Sequence, residues 1–208
     1  MKILTDEDGD EAAQPTSEPL PASTTTPQST PTPHSTPTPA PQACEALTDF
    51  SIGAQNLGWF IVNDNVMGGR SEGGVSFRDS TMVFEGAINT DGGGFSSVRV
   101  EVGSNAMTGF QGLTVRARTD GREYKLILED SLVSRDRRVS HQVTLAFAAT
   151  DEWQTVEALF IELEPRIFGR AVQSDPFRAD LVTQLGVMIS DGVDGPFRIE
   201  IDSISLCS

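Results

Sequence analysis

Histidine is almost missing from this chain. Of its 208 residues only His34 and His141 are histidine, which excludes a histidine-rich zinc centre. A serine-histidine-acid triad would have to use His141, which falls on an expected strand rather than a strained elbow, and no Gly-x-Ser-x-Gly motif accompanies it. His141 is therefore read as an ordinary sheet residue. Cationic excess is missing too: the formal net charge is −15, so binding to nucleic acid, which depends on neutralising phosphates, is not expected. Lysine is as scarce as histidine, and thirteen of the fifteen basic residues are arginine. Base composition and a preference for bidentate pairing with carboxylates both account for that bias. No apolar run of about 18 residues is present, so no membrane span is expected. The opening Met1-Lys2-Ile3-Leu4-Thr5-Asp6-Glu7-Asp8 lacks the apolar stretch of a secretory signal, and its acidity argues against a mitochondrial transit peptide.

Aromatic residues are absent from the first 43 positions, which hold nine of the twelve prolines. With six acids against one lysine and little apolar surface, residues 1–43 read as a disordered Thr/Pro-rich tail. Residues 15–41 repeat Thr-Pro units, favour extended polyproline conformations and reach about 80 Å, the make-up of a stalk. Such stalks hold domains away from surfaces; an inert intracellular linker is the competing reading. Only two cysteines occur, Cys44 at the start of the remaining 44–208 segment and Cys207 near its end. The ends of a compact domain often lie close together, so a disulfide is one reading, and two unrelated buried thiols the other. Stalk and cysteines together point to a bacterial extracytoplasmic or surface-tethered setting if a signal or anchor lies upstream, and to the cytoplasm otherwise.

After Cys44 short segments alternate apolar and polar residues, as strands do when one face of a sheet is wet. Strands are expected at residues 58–62, 74–77, 81–88, 95–102, 112–118, 123–129, 141–147, 153–160, 184–189 and 197–204. The alternation is plainest in Leu113-Thr114-Val115-Arg116-Ala117-Arg118, while helical periodicity is weak apart from a possible turn near 175–183. About ten strands in one domain predict an all-β, two-sheet antiparallel sandwich preceded by the tail.

Two glycine-rich stretches stand out: Asn63-Asp64-Asn65-Val66-Met67-Gly68-Gly69-Arg70-Ser71, and Gly92-Gly93-Gly94-Phe95-Ser96-Ser97-Val98-Arg99. Neither is a standard phosphate or dinucleotide loop. On a structural reading Asp64 accepts backbone hydrogen bonds that fix a turn and Arg70 pairs with an acid. On a functional reading Trp59, Asp64, Arg70, Ser71, Ser97 and Arg99 form a binding surface for a polar ligand or protein segment, with the tryptophan as a platform. Asp191-Gly192-Val193-Asp194-Gly195 carries two carboxylates in a turn; a calcium loop is conceivable, but the spacing is not that of an EF-hand and a plain turn is favoured.

The first stretch, following Trp59, resembles the Asp-x-Val-Met-Gly-Gly-x-Ser signature of the complex I intermediate-associated protein family, and the second resembles that family's Gly-Gly-Phe-x-Ser-x-Arg run. Similar blocks recur at Asp120-Gly121-Arg122-Glu123-Tyr124, Glu152-Trp153-Gln154-Thr155-Val156 and Gly195–Ile204. The resemblance implies a jelly roll like galactose-binding domains, and a non-enzymatic module that assists assembly of respiratory NADH dehydrogenase by holding its subunits, without a cofactor. A stalk-displayed carbohydrate-binding domain is the alternative, with polysaccharide rather than protein as partner and Trp59 and Trp153 as stacking platforms. An enzyme using an unrecognised acid pair is a third reading.

Overall fold

The computed structural model describes residues 43–51, 57–134 and 137–208. The tail assigned to residues 1–43 lies outside them except for Ala43. In chain order the strands are β1 (Cys44–Thr48), β2 (Phe60–Asn63), β3 (Glu72–Arg78), β4 (Thr81–Ile88), β5 (Ser96–Glu101), β6 (Gly112–Thr119), β7 (Tyr124–Ser134), β8 (Arg137–Leu145), β9 (Gln154–Leu159), β10 (Glu164–Ile167), β11 (Arg170–Ala171), β12 (Val182–Ile189) and β13 (Gly195–Cys207). Among the described residues there is no α-helix, and no helix long and apolar enough to cross a membrane.

The strands form two antiparallel sheets, a sandwich of jelly-roll type. One runs β3-β4-β13-β6-β9 with β1 also on β13, and the other runs β11-β10-β8-β7-β12-β5-β2. All ten expected strands are present. The three not expected, β1, β10 and β11, are short or exposed along most of their length, so no apolar alternation marks them. The anticipated turn near 175–183 is a short 3-10 helix, Ala179–Leu181.

Period-two patterning builds the core. On β6, Leu113, Val115 and Ala117 are buried while Thr114, Arg116 and Arg118 face outward. On β13 the buried positions run Phe197, Ile199, Ile201 and then Ile204, Leu206. That change of parity needs an extra residue, and the register against β6 shifts between Ile201 and Ser203, a β-bulge that returns the apolar side chains to the core. From the opposite sheet Val98, Val100, Leu126, Leu128, Leu185 and Val187 meet them. Burying each such side chain contributes about 1.5–3 kcal/mol.

The chain closes on itself at β13. Cys44 and Cys207 sit opposite each other in the β1–β13 register and are joined by a disulfide, with Cα atoms 4.2 Å apart across a sequence separation of 163. The two-thiol reading is thereby set aside. Constraining so long a loop in the unfolded chain stabilises the fold by up to about 5 kcal/mol in the chain-entropy model. The Cys44→Ser/Cys207→Ser variant is expected to lose about 2–5 kcal/mol in urea titration, most of it reproduced by reducing the wild type; an unchanged midpoint would contradict this.

Candidate functional site

Asp64 opens a short 3-10 turn, Asp64–Met67, which ends at Gly68 in the left-handed region, φ 87°. Its carboxylate is fully buried. Oδ1 accepts from the Ser71 backbone N–H at 2.9 Å, and Oδ2 accepts from Ser71 Oγ at 2.7 Å, Gly94 N at 2.6 Å and Phe95 N at 3.3 Å. The carboxylate of the first glycine-rich stretch is thus ligated by the backbone of the second. Gly69 and Gly93 pack so closely that a Cβ on either would overlap it. Ser71 Oγ also accepts from Asn89 N at 3.1 Å, tying the start of β3 to the end of β4. Burial opposes ionisation of Asp64, but the four hydrogen bonds outweigh it and hold its pKa below the usual carboxylate value.

The six candidate residues do not share one surface. Ser71 and Ser97 are fully buried like Asp64. Arg70 is exposed and pairs with Asp91 at 3.1 Å, a surface pair of little energetic weight. Trp59 packs on Phe50, ring centroids 5.6 Å apart, against the core, with its indole nitrogen enclosed and without a hydrogen-bond partner. Trp153 lies under two guanidinium groups, Arg116 at 5.0 Å and Arg118 at 5.1 Å, so its ring is already stacked.

Ser97 and Arg99 do share a face. They alternate with the core residues Val98 and Val100 and so lie on the side of the seven-stranded sheet away from the core. Arg99 Nε donates to Ser97 Oγ at 3.0 Å, and its NH1 pairs with Glu129 at 2.5 Å, both partners largely enclosed. Register places Phe60, Arg99, Gly186, Ile127, Gln142 and Glu164 in one row across this face. At its far end lies a depression of about 120 Å³ lined by Lys125, Gln142, Val143, Thr144, Glu162, Glu164 and Arg166. Its side chains offer donors and acceptors of both charges. None of them lies in a block singled out in the sequence, and only the pairing of β7, β8 and β10 brings them together.

Arg122, within the Asp120–Tyr124 block, holds the turn after β12. Its guanidinium donates to both oxygens of Asp191, at 2.8 and 2.7 Å, to Gly195 O and Pro196 O at 2.9 and 2.8 Å, and to Val193 O. Asp194 accepts from Thr90 N at 2.6 Å. Both carboxylates of the Asp191–Gly195 segment thus accept hydrogen bonds from protein groups as parts of a turn. Among the described residues no group of three or more His, Cys, Asp or Glu is arranged to hold a metal. His141, on β8, is buried against Phe177 with Nδ1 3.8 Å from Asp130; burial outweighs that carboxylate and lowers its pKa, favouring the neutral ring.

A family model for complex I intermediate-associated protein 30 matches residues 48–201, spanning both glycine-rich stretches and nearly all of both sheets. The chain belongs to that family. No curated protein matches the sequence. Among solved structures, a family 11 carbohydrate-binding module of the cellulosomal cellulase Lic26A-Cel5E of Clostridium thermocellum is similar, with TM-score 0.57, 14% identity, and 79% of this chain and 94% of that chain covered. A family 11 module from the same organism in complex with a β-1,3-1,4-mixed-linked tetrasaccharide gives TM-score 0.57 at 15% identity, covering 78% and 94%. The agarase AgWH50C gives TM-score 0.52 at 12% identity, covering 80% of this chain and 25% of that one. At these identities the likeness is one of fold.

Within this complex I intermediate-associated domain, Asp64→Asn is expected to cost about 3 kcal/mol, because an amide cannot accept all four donors. The pH dependence has a definite sign. A carboxyl whose folded pKa is depressed stabilises the fold above the ordinary aspartate value near 3.9, and that contribution is lost as pH falls through the folded value. Urea midpoints measured below about pH 4 should therefore fall more steeply for wild type than for Asp64→Asn; parallel curves would contradict the assignment.

Proposed function

We propose that this domain is a non-enzymatic binding module that holds a protein partner, as the name of its family implies for respiratory complex I intermediates. The observation that carries this reading is the family match over residues 48–201. The chemistry of the conspicuous polar residues supports it. Asp64 and Ser71 spend their hydrogen-bonding capacity on backbone groups, and His141 is enclosed without a hydroxyl partner, so none is presented to a substrate. The partner would meet the outer side of the seven-stranded sheet at its open end, where Thr144, Glu162 and Glu164 are exposed, the rest of that face being largely enclosed. The disulfide fits an oxidising compartment and a tethered domain.

A second reading, binding of a polysaccharide, is supported by the depression of about 120 Å³ on that face, where Gln142, Lys125, Glu164 and Arg166 offer hydrogen bonds suited to hydroxyl groups. One experiment separates the two. The tagged, disulfide-intact chain is recovered from its native source under gentle conditions and its companions are identified by mass spectrometry and sugar analysis. Subunits of NADH dehydrogenase are expected; recovery of polysaccharide without them would favour the second reading and overturn the first.

A further inference from the structure

The corner of the seven-stranded sheet where the start of β8 lies against the β10–β11 turn combines two exceptions to the rest of the described residues. The first is electrostatic. Of the described arginines, only Arg78, Arg137, Arg138 and Arg170 lack a carboxylate partner. The last three are gathered here: Arg137 and Arg138 open β8, and Arg170 opens β11. All three are exposed, in a protein whose net charge is −15.

The second is conformational. The turn between β10 and β11 consists of Phe168 and Gly169, both in the left-handed region at φ 49° and 73°. A two-residue hairpin turn of this kind favours Asn-Gly, because a bulky side chain is strained there. The β3–β4 turn uses Asp79 and Ser80 at φ 49° and 58°. Phe168 is 65% exposed, so no burial offsets its strain, and the Arg137 guanidinium stacks 5.0 Å from its ring. Arg166 fixes the turn from below by donating to Gly169 O at 3.1 Å.

We infer that this arginine-flanked aromatic tip is the docking surface for an acidic segment of a protein partner, which rests on the protein-binding reading above. Guanidinium groups pair bidentately with carboxylates, and Arg and aromatic residues dominate the energy of protein interfaces. Charge complementarity selects this partner: the corner is cationic where the domain is otherwise acidic. An anionic membrane fits less well, because the chain's total charge of −15 is repelled by it.

The test is fluorescence anisotropy of a labelled peptide of alternating glutamate and leucine against the disulfide-intact chain, alongside co-sedimentation with phosphatidylserine-containing vesicles. The peptide should bind, and more weakly as salt rises. Phe168→Asn should weaken binding about tenfold while its melting temperature stays level or rises, since asparagine tolerates the left-handed conformation. Arg137→Glu with Arg170→Glu should abolish binding with the fold intact by circular dichroism. Equal affinity for wild type and variants, or binding to vesicles and not to peptide, would overturn the inference. The two readings fail separately. If the variants still recover dehydrogenase subunits from the native source, the tip is wrong and the function stands. If the wild type recovers none while the peptide still binds the tip, the reverse holds.

Discussion

A carboxylate taken out of water needs several donors, and in this fold Asp64 finds all four of its own at Ser71 and in the loop of Gly94 and Phe95. Its bonds to Ser71 place the start of β3, and those to Gly94 and Phe95 place the start of β5. Because β3 and β5 belong to different sheets, this one group fixes how one end of the sandwich closes. The glycines serve the same contact, since Gly69 and Gly93 leave room for the carboxylate where any Cβ would intrude. The family signature thus describes a buried fastening whose polar groups are spent within the fold.

The charge of the domain is organised in a similar way. On the outer side of the six-stranded sheet Arg116 pairs with Asp202, Arg118 with Glu200, and Arg198 with Glu85 and Glu200, so that arginines and acids within and between neighbouring strands neutralise one another. Bidentate geometry, as in Arg122 with Asp191, explains why arginine rather than lysine is used. This wealth of paired charge leaves the unpaired arginines around Phe168 conspicuous.

Strand alternation made the architecture legible in the sequence. Leu113, Val115 and Ala117 announce their sheet face, and every strand read that way exists. What could not be read is equally physical. β1 owes its place to the disulfide and to pairing with β13, neither of which leaves a periodic trace in Glu45-Ala46-Leu47. The parity change on β13 is a bulge and needs the partner strand to be seen. For the candidate site the residues of the signature were found but not their burial: Asp64 looks the same in sequence whether it ligates backbone or solvent. The row from Phe60 to Glu164 is assembled by register between strands far apart in sequence, and no local motif encodes it.

The fastening by Asp64 is most directly examined by native-state hydrogen exchange at the amides of Ser71, Gly94 and Phe95. Loop amides ordinarily exchange fast, whereas amides bound to a buried carboxylate open only with the surrounding structure. The account predicts protection at these three comparable to that of the central strands, and its collapse in Asp64→Asn at conditions where those strands stay protected. Exchange of the wild-type amides at unprotected loop rates would contradict it.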